Sequence, residues 1–310
     1  MAGLLAVVGP TGTGKSNLAI ALAHELEAQG QKAEIINSDS MQFYRGMNIG
    51  TAKLADQERE GVKHHLIDIL EITDESTAAE YQRIARPLIE DIQARGAVPI
   101  LCGGSMLYVA AVLNTFEFPG HDDELRAELE ADLEARGSVA LHADLAKLDP
   151  SAATRVDPLN PRRVVRALEI VRLTGQPFAA ALPDKPESWQ PVLEIGLNSE
   201  RQHLVERLHR RVEKMWADGL LNEVEQLIPA GIRHGKTASR AIGYAQALAQ
   251  LDGTMSQDDA IALTAQLTSR YARRQMSWFR RDDRINWLDY QAPDLLSDAR
   301  ALVFEYLAKF

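Results

Sequence analysis

The sequence predicts an α/β fold, a parallel sheet flanked by helices and interrupted by an all-helical insertion domain. Three observations predict it. Short apolar runs alternate with stretches of helical period, the pattern of parallel strands joined by crossover helices. The first such run ends in a glycine-rich loop that leads straight into a helix. From about residue 121 to 191 the helical period continues with no convincing strand, and then a strand-like run returns.

The elements follow in order. "LLAVV" at 4–8 is apolar and short, as a buried strand should be. Residues 15–29 place Leu18, Ala21, Leu22 and Leu26 at helical spacing, and Gly30 closes that helix. "AEIIN" at 33–37 reads as a second strand. A helix over 81–95 contains Pro87, expected to kink it, and ends at Gly96. "AVPILCGG" reads as a third strand running into a glycine turn. The insertion then takes 121–191, between core segments 1–120 and 192–310. "VLEIGLN" rejoins the sheet. Helices are expected at 200–219, 220–227, 239–251 and 256–281, then a strand in "RINWLDY" and a helix in "APDLLSDARALVFEYLAKF".

Bulk properties narrow the function classes. The chain has 310 residues, 45% apolar and 25% charged, with a single cysteine, Cys102. One cysteine allows no internal disulfide and no cysteine zinc site. No apolar run approaches the ~18 residues of a membrane span. The apolar start lacks a basic leader and runs directly into the loop, so it reads as a strand and the expected compartment is the cytoplasm. The net charge of −10 argues against nucleic acid when taken alone. Its distribution argues otherwise, because arginines gather in "NPRRVVRALEIVR" and "SRYARRQMSWFRRDDR".

The loop Gly9-Pro10-Thr11-Gly12-Thr13-Gly14-Lys15-Ser16 fits G-x-x-x-x-G-K-[ST] in the strand–loop–helix context the motif requires. A P-loop NTPase-like core is therefore expected. Its N–H groups and the helix N-terminus hold phosphate, Lys15 adds a point charge, and Ser16 is the candidate Mg²⁺ ligand. Asp39 follows the second strand, at the carboxyl edge where such sheets bind ligands. General base, metal ligand and helix cap stand level for it. Thr51 and Lys53 lie in the same connection. Ser105 follows the third strand at that edge, as a functional hydroxyl or as a plain cap; Cys102 reads as core.

Arg162, Arg163 and Arg166 fall within just over one helical turn, either a solvated face or a clamp on RNA backbone. Arg270, Arg273, Arg274, Arg280, Arg281 and Arg284 form a second ridge. Beside it, Tyr271, Gln275 and Trp278 share a face; Gln275 either binds something specific or only bonds backbone. His64 and His65 lack metal-ligand spacing, and His203 and His209 fall on a helix surface.

Together "GPTGTGKS", "NSDSMQFYRGMNIGTAK", "GGSMLYV", "RRVVRALE", "TGQP", "MWADGLLNEV", "RAIGYAQAL" and "RYARRQMSWFRR" resemble, in order, the tRNA dimethylallyltransferases, also called tRNA isopentenyltransferases. The resemblance covers nearly the whole chain and is to the bacterial type, without the C-terminal zinc finger of eukaryotic relatives. It implies transfer of a dimethylallyl group from dimethylallyl diphosphate to N6 of the adenine 3′-adjacent to the anticodon, in tRNAs reading codons that start with U. The loop then holds a diphosphate leaving group, with Mg²⁺. The resemblance makes Asp39, Ser105 and Lys15 catalytic candidates and adds Arg240 of "SRAIGY" to the diphosphate contacts. It implies tRNA contacts at Asp39, Ser40, Met41, Gln42, Ser105, Arg126, Arg162, Arg163 and Arg166, to which we add Gln275. The insertion is expected to grip the anticodon stem-loop, and the protein to act as a monomer.

Three departures stand out: Ser105 where the family often has threonine, "GTAKL" without a following proline, and "PLNPRR" in place of an Asn-Asp pair. The alternatives are a P-loop small-molecule kinase, an adenylate isopentenyltransferase acting on free nucleotide, and a non-catalytic RNA-binding protein. The first two leave the basic insertion unexplained; the third gives Asp39 and the loop no purpose.

Overall fold

A computed structural model describes residues 3–115, 118–178 and 186–310. Residues 179–185 of the expected insertion lie outside them. Two compact units divide the chain: Met1–Asn114 with Ser188–Phe310, and Thr115–Glu187 between them. The helical unit was expected over 121–191; it starts earlier and ends earlier.

The core unit opens with β1 (Leu4–Val8), α1 (Lys15–Ala28) and β2 (Ala33–Asn37). A two-residue strand, β3 (His64–His65), precedes α2 (Ala78–Ala94), β4 (Val98–Cys102) and α3 (Met106–Leu113). In the second unit are α4 (Asp123–Arg136), α5 (Ser138–Leu148), α6 (Pro150–Ala153) and α7 (Pro161–Thr174). The core resumes with β5 (Val192–Asn198), α8 (Arg201–Ala217), α9 (Leu220–Leu227), α10 (Tyr244–Leu251) and α11 (Gln257–Phe279), and closes with β6 (Asn286–Asp289) and α12 (Leu295–Leu307).

The six strands are all parallel, in the order β3-β2-β4-β1-β5-β6. Parallel strands are covered on both faces, which explains why β1 and β4 are apolar throughout and fully buried. One side of the sheet packs Leu5, Val7 and Ile100 with Leu18, Leu22 and Leu26 of α1. The other packs Leu4, Ala6 and Leu101 with Tyr81, Ala85 and Ile89 of α2. Truncating Leu22 to alanine in so dense a layer costs about 2–5 kcal/mol. The second unit has its own core, with Leu129, Leu141, Leu145, Val164 and Leu168 buried together.

Several sequence expectations are refined. The helix expected over 81–95 begins at Ala78, because Thr77 and Glu80 form a capping box. Pro87 sits inside it without ending it. The helix expected over 239–251 divides, since Gly243 takes φ 93° between a 3₁₀ turn at Ala238–Arg240 and α10. His64 and His65 form the edge strand that the sequence pattern did not distinguish. Arg284 leaves the arginine ridge: its guanidinium pairs with Asp282 and donates to Ser188 Oγ (2.7 Å) and Asn114 Oδ1 (2.8 Å). Those two residues are the core unit's last before and first after the helical unit.

Candidate active site

The sheet order brings three chain segments to one carboxyl edge: the loop after β1, the turn after β2 and the turn after β4. Gly9 begins the loop at φ 130°, and a Cβ there would sit 2.6 Å from the Leu197 carbonyl oxygen. Only glycine fits both the conformation and the gap. Pro10 contributes its carbonyl, which accepts from the Thr13 hydroxyl (2.9 Å) and from Lys15 Nζ (2.7 Å). The lysine is thus folded over its own loop. Burial lowers its pKa to about 8, opposed by the charge of Asp39.

Thr11, Gly12, Gly14, Lys15 and Ser16 line an open cavity of about 450 Å³ together with Asp39 and Gln42. Ser16, the candidate metal ligand, lies against the Cys102 thiol, which burial pushes up to about 11. That value keeps Cys102 a neutral wall group and not a nucleophile.

Asp39 caps a short 3₁₀ turn, its Oδ1 accepting from the Met41 N–H at 3.0 Å. The cap reading is therefore true of one oxygen and does not exhaust the carboxylate. Asn37 braces the residue: its Oδ1 accepts from the Asp39 N–H (3.0 Å) and its Nδ2 donates to the Asp39 carbonyl (3.2 Å). Burial raises the Asp39 pKa, against the lowering effect of Lys15, Arg211 and Lys53. A carboxylate with a raised pKa facing a cavity is suited to taking a proton. Ser105 does not cap α3 with its side chain. Its hydroxyl accepts from the Ser40 N–H (3.1 Å) and pairs with the Ser40 hydroxyl (3.3 Å), tying the turn after β4 to the turn after β2.

Gln275 of α11 is almost wholly buried, at 2% exposure. Its Oε1 accepts from the Thr11 N–H (2.9 Å) and its Nε2 donates to the Gly104 carbonyl (2.8 Å). Gln275 was expected among the tRNA contacts. The structure instead commits both ends of its amide to backbone, and it also removes Thr11 from the loop N–H groups free to hold phosphate.

Other expected contacts are spread more widely. Met41 is partly buried against an apolar cluster, and Gln42 donates to the Thr51 carbonyl (3.2 Å) while lining the cavity. Arg240 is exposed on its 3₁₀ turn and does not line this cavity. In the helical unit Arg126 and Arg166 both pair with the fully buried Glu169, and Arg166 also donates to the Pro119 and Gly120 carbonyls. Their charges are thus partly spent within the unit. Arg162 and Arg163 are exposed in the first turn of α7.

Sequence reasoning missed the basic face of α8. Arg207, Arg211 and Lys214 line the cavity, and Arg211 Nη1 donates to Thr11 Oγ1 at 3.2 Å. Their i, i+4, i+7 spacing was a visible signal. One histidine and two glutamates interspersed in "ERLHRRVEKMW" hid it among ordinary surface charge.

A parallel sheet with this loop after a central strand, and a carboxylate and cations at the same edge, defines a P-loop protein built for phosphate or diphosphate chemistry. The description "IPP transferase" belongs to the family model that matches residues 42–282. A tRNA dimethylallyltransferase of Thermobifida fusca is 54% identical over 99% of this chain and 96% of its own. One from Kineococcus radiotolerans is 53% identical over 94% and 91%. The crystal structure of a tRNA isopentenylpyrophosphate transferase from Bacillus halodurans superposes with a TM-score of 0.72 at 38% identity, covering 100% of this chain and 98% of that one. A eukaryotic dimethylallyltransferase acting on tRNA gives 0.80 at 28% identity, over 97% and 78%. The chain belongs to the tRNA dimethylallyltransferase family, and the small-molecule kinase alternative is not favoured.

Proposed function

We propose that this chain transfers the dimethylallyl group of dimethylallyl diphosphate to N6 of the adenine 3′-adjacent to the anticodon, in tRNAs that read codons starting with U. The observation that carries the reading is one cavity holding both halves of the chemistry: Asp39 with its raised pKa, and the loop with Lys15 and Arg211. The adenine N6 forms a bond to C1 of the allyl group as the C1–oxygen bond breaks and diphosphate leaves. N6 is a weak nucleophile because its lone pair is delocalised into the ring. Asp39 accepts the N6 proton, and burial makes it a stronger base than an exposed aspartate.

Charge grows on the departing diphosphate. Lys15 has three N–H donors, so it reaches the diphosphate without giving up the Pro10 carbonyl. Arg211 and the free loop N–H groups add fixed positive potential at the same place. Mg²⁺ fits this donor set. Among the described residues no three acids, histidines or cysteines could hold a metal, and Mg²⁺ typically takes one or two protein oxygens with phosphate and water. Ser16, with Asp39 in the same cavity, is the donor the chain offers; the ion would neutralise diphosphate charge.

The target adenine is extruded from its stack to reach the cavity. The helical unit, with Arg162 and Arg163 exposed, is assigned the anticodon arm, and we place the enzyme in the cytoplasm as a monomer without zinc. Among the described residues no helix is long and apolar enough to cross a membrane. The test is a prenylation assay with Mg²⁺, dimethylallyl diphosphate and an anticodon stem-loop, run beside ATP turnover. Prenylated adenine is expected; phosphoryl transfer without prenylation overturns the proposal. Asp39→Asn should lower kcat by about a hundredfold or more while tRNA affinity changes little. Equal losses in both would make Asp39 a binding residue.

A further inference from the structure

Residues 47–54 form a connection without helix or strand, yet they build one wall of the cavity through Asn48, Ile49, Thr51, Ala52, Lys53 and Leu54. A segment without ladder hydrogen bonds needs other partners for its backbone. Local turns supply some of them, as in Ala52 N–H to the Ile49 carbonyl (3.0 Å) and Lys53 N–H to the Asn48 carbonyl (3.0 Å), but Asn48 and Ile49 find theirs on a helix more than 170 residues away in sequence. Glu223 of α9 receives the Asn48 N–H (3.1 Å) and the Ile49 N–H (2.8 Å) on Oε2, and the Tyr244 hydroxyl (2.6 Å) on Oε1. Tyr244 of α10 is buried, and its ring lies flush against Gly50, where a Cβ would come within 2.4 Å of it. Neither Glu223 nor Tyr244 lines the cavity.

We infer that Glu223 and Tyr244 are positioning residues that pin the 47–54 wall in the shape that receives the hydrocarbon tail of the allyl donor. The inference rests on the donor reading given above. Two N–H groups on one carboxylate oxygen are charge-assisted bonds, stronger than neutral ones, so they hold the backbone at Asn48 and Ile49. From there a chain of bonds carries the position onward. The Thr51 hydroxyl donates to the Met47 carbonyl (2.7 Å), Gln42 Nε2 donates to the Thr51 carbonyl (3.2 Å), and Lys53 Nζ donates to the Tyr44 carbonyl (2.8 Å). The wall presents Ile49, Ala52 and Leu54, and Met215 of α8 also lines the cavity. These apolar groups suit a five-carbon tail; diphosphate is provided for by the loop and α8. Shifting the wall should therefore weaken the donor and leave tRNA alone.

Glu223→Ala should raise KM for dimethylallyl diphosphate by about tenfold, which is about 1.4 kcal/mol, with KM for tRNA within about twofold. Amide exchange at Asn48 and Ile49 should quicken by at least about tenfold, because their acceptor is gone. Glu223→Gln keeps one amide oxygen for the two N–H groups and should fall between wild type and alanine. Tyr244→Phe keeps the carboxylate and should raise donor KM by about threefold. A merely structural role would lower kcat through loss of folded enzyme and leave donor KM where it was. Unchanged exchange in folded Glu223→Ala overturns the pinning, and faster exchange with unchanged donor KM overturns the positioning. If the alanine variant does not fold, Glu223→Gln and Tyr244→Phe decide; wild-type values in both sink the inference. Wild-type protein that does not prenylate refutes the donor reading instead, and amide exchange, which needs no substrate, still decides whether the wall is pinned.

Discussion

Gln275 offers the sharpest test of how the phosphate loop is held. The residue sits 264 positions from Thr11, and its amide is the direct tie between α11, the loop and the turn after β4. Gln275→Leu keeps most of the side-chain volume and deletes both bonds. Each stranded backbone group costs about 1–3 kcal/mol when it stays buried. Gly104 is buried, whereas Thr11 is half-buried and its N–H can regain water, so the Thr11 side falls at the low end. The expected loss is about 2–4 kcal/mol, large for one substitution. Gln275→Ala adds a cavity and should lose at least as much. Urea denaturation, comparing midpoints at constant slope, measures both. Donor KM should rise too, since the loop is no longer fixed at Thr11. If Gln275→Leu stays within about 0.5 kcal/mol of wild type, the loop holds itself and the amide is not its tie.

Other consequences are testable. Lys15 is a cation only below its pKa of about 8, so in the free enzyme donor KM should rise as pH passes above that value; Lys15→Met should be weak throughout and lose the step. Arg211→Ala should raise donor KM by about tenfold or more, measured beside Arg210→Ala as a surface control. Burial raises the Glu194 pKa to about 7, with the Asp282 charge adding and Arg284 opposing. Its folded pKa lies above the ordinary glutamate value of 4.5, so between the two the folded state holds a proton the unfolded chain has lost. Stability should therefore fall as pH rises from about 4.5 to 7, by at most about 1.4 kcal/mol per unit, and level off above. Glu194→Gln should flatten that slope in thermal melts, and an unchanged slope would place the titration elsewhere.

Local pattern carried much of this protein. A strand is legible when both faces are buried, as in "LLAVV", because the apolar run itself records the burial. The loop is legible because its glycines, Lys15 and Ser16 must be contiguous to wrap a phosphate. Asp39 and Ser105 could be placed at the right edge because each follows a readable strand. The ordered motifs pointed to the family that the comparisons then showed.

Pairings between distant faces were decided only by the tertiary structure. Helical period says that Gln275 lies on a buried stripe; it does not say that the stripe meets Thr11 and Gly104. Arg211 looked like one surface charge among many until the sheet order set α8 beside the loop. Glu169 engages Arg126 and Arg166, two expected RNA contacts, with part of each side chain left exposed, and Arg284 left its ridge for Asn114 and Ser188. Glu223 and Tyr244 stood in motifs whose purpose was not readable until Asn48 and Ile49 lay beside them. The physical reason is common to all of these. Short-range periodicity fixes which side of an element avoids water, whereas a hydrogen bond is chosen by whichever group the packed chain brings within about 3 Å.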